Sequence, residues 1–394
     1  MKVIDRELIK HLDWLTIIIV LALFTIGIIS IASIMASPFS GDEQTISDFM
    51  QKLNFEYVER QLVNFAVAIA VFVIVVVLDY HFYEKLANIM YAGIVFLLLL
   101  LVLVGKTSRG VAGWFVLSSI NRAIQPAELC KVVLIIMFAK IISKSIEKHG
   151  KLKGIKDIGL ILAICALPTA LVLWQPDFGT AFVFICILVF MLFVSGISWK
   201  YIVPTLIVAM LLAPLLYLFV LNPEQQDRIR VFLDPEADPL GAGYNVIQSK
   251  LSIGSGQLTG KGFFTAGTLA QLKYVPERHT DFIFSGIVEG IGFIGGTIII
   301  LLYFILIFRW LYNAYISGDT FGMCIIVGCA AMILAHVFEN IGMTIGLMPV
   351  TGIPLPFISY GGSNLLTSMI AVGLVVNVYM RRPIGRSLAD RRRR

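Results

Sequence analysis

The residue in this chain best placed to move a proton is a carboxylate at the point where a polar run meets an apolar one. Asp281 closes Pro276-Glu277-Arg278-His279-Thr280-Asp281 and is followed by Phe282-Ile283-Phe284. Half removed from water beside aromatic rings, such a group is a candidate general base, because lost hydration favours its taking up a proton. The same position suits an N-cap of the helix that follows, and the residues alone give both roles equal weight. Glu289 lies eight residues on, about two turns along the same helix face, so a second buried acid is expected to support the first.

Other ionisable residues fall inside apolar runs, where each is costly and needs a partner. Glu128 and Lys131 are spaced i, i+3, share a helix face and can pair, as a structural or a functional group. Asp177 follows Gln175 and Pro176 at a helix start, where unpaired amides and the helix dipole favour a carboxylate. His336 and Glu339 repeat the i, i+3 spacing. With no third ligand at readable spacing, interior hydrogen bonding is expected of them rather than a metal site. Cys130, Cys165, Cys186, Cys324 and Cys329 lie in apolar runs without CxxC spacing and read as small core residues.

These groups have to be positioned inside lipid. Of 394 residues, 58% are hydrophobic and 14% charged, with a mean hydropathy of +0.89, against roughly 25% charged in a soluble domain. A span of about 20 apolar residues crosses a bilayer core of roughly 30 Å as a helix, which satisfies its own backbone there. About ten such runs are present: Trp14 to Met35, Val58 to Leu78, Tyr83 to Val104, Glu128 to Ser143, Ile158 to Trp174, Phe178 to Ser195, Tyr201 to Leu221, Phe282 to Phe308, Phe321 to Ile341 and Asn364 to Met380. The expected fold is therefore an all-α polytopic membrane protein, one integral membrane domain over 1–394. The first run is too long for a cleaved signal and reads as a retained anchor.

Most of the 31 Lys and Arg residues fall on one side if the N-terminus is cytoplasmic, which places both termini inside and the long hydrophilic segment 222–281 outside. The net charge of +6 follows this topology and lacks the pattern of a nucleic-acid surface. The outer loop nevertheless carries Arg228, Arg230, Lys250, Lys261, Lys273 and Arg278, a basic surface that suits a phosphate-bearing ligand. At about 60 residues it is too long for a mere connection. Tyr244 to Ile253 has the pattern of a short amphipathic helix lying on the membrane surface. Glycines 254, 256, 260, 262 and 267 then permit close backbone approach to a ligand. No GxxxxGKS/T motif is present, and no GxGxxG in strand-to-helix context. Gly346 to Ser363, GLMPVTGIPLPFISYGGS, cannot be a regular helix and must be a structured external loop or a re-entrant piece buried in protein.

The segments IQPAELCK (124–131), WQPDFGTA (174–181), FLDPEADPLGAGYNVIQSKLSIGSG (232–256), LTGKGF (258–263), VPERHTDFIF (275–284) and ENIGMTIGLMPVTGIPLPFISYGGS (339–363) together closely resemble the SEDS family (shape, elongation, division and sporulation). PERHTDFIF and GIPLPFISYGGS point to its elongation-type, RodA-like branch. The resemblance runs in family order across most of the chain beyond Ile124. It implies a ten-span, GT-C-like fold with a large extracytoplasmic loop between helices 7 and 8, in the bacterial cytoplasmic membrane. It also implies a peptidoglycan glycosyltransferase that polymerises lipid II into β-1,4 glycan with release of undecaprenyl pyrophosphate, for elongation and rod shape. The implied catalytic acid is Asp281, with Glu128 and Lys131 as the buried pair. Gln125, Pro126, Gln175, Pro176 and Asp177 would line the central cavity, and His279, Thr280, Glu289, Ser359 and Ser363 join them as substrate-binding candidates. Ala127, Cys130, Gln257 and Gly290 depart from the family's usual Ser, Ala, Gly and Glu.

A pyrophosphate leaves without protonation, so one of the two carboxylates of an ordinary glycosidase is unnecessary. What remains is a base for the acceptor hydroxyl, expected to be Asp281, and cations for the pyrophosphate, for which Arg228, Arg230, Lys250 and Arg278 are candidates. A divalent cation, Mg²⁺ or Mn²⁺, is an expected helper, and no organic cofactor is implied. The implied partners are lipid II, the growing glycan, a class B penicillin-binding protein transpeptidase and other membrane proteins of the elongation machinery. The rival readings are a lipid II flippase, which would share intramembrane ion pairs and broken segments, and a noncatalytic scaffold.

Overall fold

The computed structural model describes residues 10–37, 52–104, 106–108, 111–117, 122–150, 152, 155–197, 203, 207, 211, 223–241 and 243–383. Every predicted span but the seventh has its helix there: α1 (Trp14–Ile34), α2 (Phe55–Val77), α3 (Tyr80–Val104), α4 (Pro126–His149), α5 (Ile155–Trp174), α6 (Phe178–Val194), α9 (Ile283–Tyr315), α10 (Thr320–Ile345) and α11 (Gly362–Met380). The seventh, Tyr201 to Leu221, lies almost wholly outside the described residues. Among the described residues seven helices are long and apolar enough to cross a membrane. α6, at 17 residues, is shorter, and α4 holds the buried Glu128 and Lys131. The chain is an all-α multi-pass membrane protein.

Burial shows which helices form the centre. The apolar stretches of α10 and α11 are 83% and 78% buried, against 22% for α2. α10 packs against α4, α6 and α9, and α11 packs on α2. Small residues let these helices meet: a Cβ at Gly328 of α10 would strike Ile135 of α4 at 2.6 Å. Between α3 and α4 lies a three-stranded antiparallel sheet, β1 (Lys106–Ser108), β2 (Val111–Leu117) and β3 (Arg122–Ile124), in the order β1-β2-β3. Hydropathy gave no sign of it.

The long loop contains α7 (Pro223–Leu233) and α8 (Tyr244–Ser255). α8 covers the segment expected to be an amphipathic helix, and one of its faces packs on the protein. Its Val246, Ser249 and Ser252 are buried, and Ser249 Oγ donates to the Thr344 carbonyl at 2.8 Å. The serines on this face allow a close approach to α9 and α10 that a lipid-facing apolar stripe would not need.

α9 is broken. Gly292 sits at φ 70°, ψ −175° within it, a conformation open essentially to glycine. The backbone groups freed by the break pair with the loop. Lys261 N donates to Glu289 O at 2.9 Å and Gly262 N to Gly290 O at 2.8 Å, while Phe293 N donates to Gln257 O at 2.8 Å and Ile294 N to Leu258 O at 3.1 Å. A Cβ on Gly292 would stand 2.3 Å from Gly260 N. The glycine run therefore serves backbone-to-backbone docking, which is what satisfies a broken helix at membrane depth. Gln257, at φ 50°, takes the left-handed conformation where the resembling family usually carries glycine. Gly290 faces the Phe263 ring, 3.0 Å from where its Cβ would lie.

Candidate active site

Asp281 stands just before α9, which begins at Ile283 with Phe282 as its N-cap and no side-chain cap bond. The turn carrying it is stitched to the Gly346–Ser363 segment. Asn340 Nδ2 donates to both the Asp281 and Ile353 carbonyls at 2.8 Å. Ser359 Oγ donates to Thr280 O at 2.7 Å, and Tyr360 N donates to His279 O at 2.9 Å. Asp281 is half-buried, and its Oδ2 lies 3.5 Å from the Cβ position of the exposed Gly352. A Cβ at 352 would come into van der Waals contact with the carboxylate. The segment is a packed piece of protein, with Ile353, Leu355, Phe357 and Ile358 buried. A Cβ at Gly27 of α1 would meet Ile358 O at 2.6 Å, and one at Gly179 of α6 would meet Ile353 Cγ1 at 2.4 Å.

Beneath this turn is an ionic core. Lys131 Nζ, fully buried, donates to Glu128 Oε1 at 2.7 Å and lies 2.8 Å from His336 Nε2. An ammonium can only donate, so Nε2 accepts and the ring proton sits on Nδ1, which faces Pro354 O at 3.3 Å. Asn364 Nδ2 reaches Glu128 Oε2 at 3.5 Å. The pair expected from spacing is thus real, and it supports the same segment that holds Asp281. Asp177 caps α6 as expected, accepting from Thr180 N at 3.0 Å and Thr180 Oγ1 at 2.9 Å. Gln125 Nε2 adds a bond to Asp177 at 2.9 Å, and Gln125 N donates to Ser363 Oγ at 3.2 Å. Burial pushes the Asp177 carboxyl up, while the bonds from Thr180 pull it down.

Several expectations are corrected. Glu289 does not support Asp281 directly. Fully buried, it accepts from Ser252 Oγ at 2.9 Å, Ser255 Oγ at 3.3 Å, Lys261 Nζ at 2.8 Å, Leu269 N at 2.8 Å and Ala270 N at 3.1 Å. The face it shares with Asp281 is covered by the docked loop, so its ligands are loop groups. His336 does hydrogen-bond in the interior, but both Glu339 oxygens are buried without a hydrogen-bond partner. Lys131, the cation facing Glu339, is already engaged by Glu128 and His336. Gln175 is buried, and its Nε2 donates to Leu98 O of α3 at 3.3 Å. Ser359 is buried and occupied by Thr280 O and Leu355 N, and Thr280 Oγ1 donates to Glu277 Oε2 at 3.0 Å.

The four candidate phosphate cations do not converge. Arg228 donates to Val350 O at 3.2 Å and lines a small cleft with Val231, Phe232, Val246 and Met348. The Lys250 side chain lies against Gly346 at the same cleft. Arg230 is exposed on α7. Arg278 is half-buried on another flank, its Nε donating to Ile34 O at the end of α1 at 3.2 Å. Sequence reasoning missed Asn340, Asn364 and Gln61. Gln61 is fully buried on α2; its Nε2 donates to Ser359 O at 3.1 Å and its Oε1 accepts from Gly361 N at 3.2 Å. An isolated amide in an apolar helix was the available signal.

The family model described as "Cell cycle protein", covering FtsW, RodA and SpoVE, matches residues 13–383. The chain belongs to this family, the SEDS family. Among SEDS relatives, "Peptidoglycan glycosyltransferase MrdB" of Escherichia coli strain K12 is 37% identical over 324 residues, 82% of this chain and 86% of its own. "Peptidoglycan glycosyltransferase RodA" of Treponema pallidum is 31% identical across 95% of this chain and 98% of its own. A solved SEDS-like structure, titled "Structural coordination of polymerization and crosslinking by a peptidoglycan synthase complex", superposes with a TM-score of 0.76 at 28% identity, covering 93% of this chain and 97% of that one.

Proposed function

We propose that this chain is a peptidoglycan glycosyltransferase that polymerises lipid II at the outer membrane face, for cell elongation. The observation that carries the reading is Asp281. Its backbone carbonyl accepts from Asn340, the neighbouring Thr280 carbonyl accepts from Ser359, and its side chain is half-buried beside the exposed Gly352. In this reading Asp281 takes, or orients, the proton of the GlcNAc 4-hydroxyl, which attacks the MurNAc anomeric carbon with inversion. The pyrophosphate departs on its own charge. Arg228 and Lys250 are the cations best grouped to receive it, and the undecaprenyl chain stays in lipid. A divalent cation would enter as a companion of the pyrophosphate. Both termini are cytoplasmic in this orientation. A class B penicillin-binding protein is the expected crosslinking partner, in keeping with the polymerising and crosslinking complex named for the structural neighbour.

The buried Glu128–Lys131–His336 core is also what a carrier would contain. Purified protein in vesicles, given lipid II with and without the class B partner, separates the two. Glycan strands are expected from the native protein. Transfer of lipid II between leaflets without polymer would support the carrier and overturn the enzyme.

A further inference from the structure

Three aromatic rings from distant parts of the chain meet beside Asp281. Tyr57 lies in the first turn of α2, His279 in the turn that ends at Asp281, and Tyr360 just before α11. Their ring centroids are 5.2 Å apart for Tyr57 and His279, 5.3 Å for Tyr57 and Tyr360, and 5.6 Å for His279 and Tyr360. Tyr57 meets the other two nearly edge-on, at 71° and 68°, a favourable aromatic geometry. All three are half-buried, whereas Phe357 in the same segment is fully buried.

The cluster is held rigidly. Tyr360 N donates to His279 O. Gln61, one turn after Tyr57 on α2, clasps Ser359 O and Gly361 N on either side of Tyr360. An aromatic belt at a membrane interface would offer rings to lipid headgroups. These rings are instead fastened to the turn that carries the acid. His279 and Asp281 are two residues apart, so their Cα atoms are at most about 7 Å from each other, roughly the length of one sugar ring.

We propose that Tyr57, His279 and Tyr360 form a stacking platform for a hexosamine ring, joined to the turn that carries Asp281. The proposal rests on the glycosyltransferase reading above. A pyranose presents an apolar C–H face that suits an aromatic surface, and a polar rim that suits the tyrosine hydroxyls and the imidazole. Either sugar of the reaction has this chemistry, the acceptor at the growing end or the donor on pyrophosphate.

The test compares native protein with Tyr57→Leu, Tyr360→Leu and the double variant, and uses Tyr57→Trp to restore a ring if the leucine variants fold poorly. Saturation-transfer NMR with a β-1,4 N-acetylglucosamine trimer reports sugar binding without pyrophosphate, and lipid II turnover reports KM and kcat. The expected result is a KM raised about tenfold in each leucine variant, kcat within about threefold of native, and near-native values in Tyr57→Trp. Loss of trimer binding in the double variant assigns the acceptor ring. Unchanged trimer binding with a raised KM assigns the donor ring. A double variant with native KM and native trimer binding overturns the platform. If native protein makes no glycan, the glycosyltransferase reading fails separately, and trimer binding that depends on Tyr57 and Tyr360 still decides for or against the platform.

Discussion

Two acids on one stretch of chain, Asp281 and Glu289, meet opposite fates. Glu289 is fully buried and wrapped by donors from α8 and the glycine run. Asp281, two turns earlier, is half-exposed beside a bare Gly352 and is fixed through its backbone carbonyl. The spacing that puts both on one face does not distinguish them; what covers the face does. A carboxylate saturated with donors holds structure, and one that is half-buried at the edge of an exposed glycine can meet a substrate. The same contrast recurs in the core, where Glu128 is paired with Lys131 and Glu339 has no partner.

Substitutions that remove one side of each contrast should differ in size. Lys131→Met leaves Glu128 buried and unpaired, and is expected to destabilise the protein by about 3–5 kcal/mol, with much of the loss recovered when Glu128 is also made apolar. Thermal unfolding in detergent would show both. Glu289→Ala strands the Leu269 and Ala270 amides and frees Lys261. A loss of about 2–3 kcal/mol is expected, seen as fast hydrogen exchange and protease cleavage across residues 252–270, while Lys261→Met, removing a partly exposed partner, should cost under about 1 kcal/mol. Glu339→Gln should leave stability within about 1 kcal/mol, because burial without a hydrogen-bond partner among the described residues already disfavours the charged form and an amide of the same size replaces it; a drop comparable to that of Lys131→Met would mean that Glu339 holds structure. Arg230→Ala, on the exposed side of α7, should change stability by less than about 0.5 kcal/mol and leave turnover intact.

Much of the fold was legible because lipid demands long apolar helices, and the charges inside them had to be paired. The spacing of Glu128 and Lys131 predicted their contact, and Asp177 at a helix start predicted its cap. The break at Gly292 was not legible. It depends on which part of a 60-residue loop returns to supply hydrogen bonds, information carried by backbone rather than by side-chain type. For the same reason α8 was expected on the membrane surface, although its serines pack on α9 and α10. His279 was singled out by its motif, but Tyr57 and Tyr360 join it only through folding, from opposite ends of the chain.

The most direct test of the account is lipid II polymerisation by purified Asp281→Asn protein, set beside native protein at matched thermal stability and matched lipid II binding. Asparagine keeps the size of the side chain and the backbone bond to Asn340 but cannot take a proton. The account predicts a fall in turnover of about 10²–10⁴-fold with binding preserved. Polymerisation at the native rate would contradict it and move the catalytic base elsewhere in the molecule.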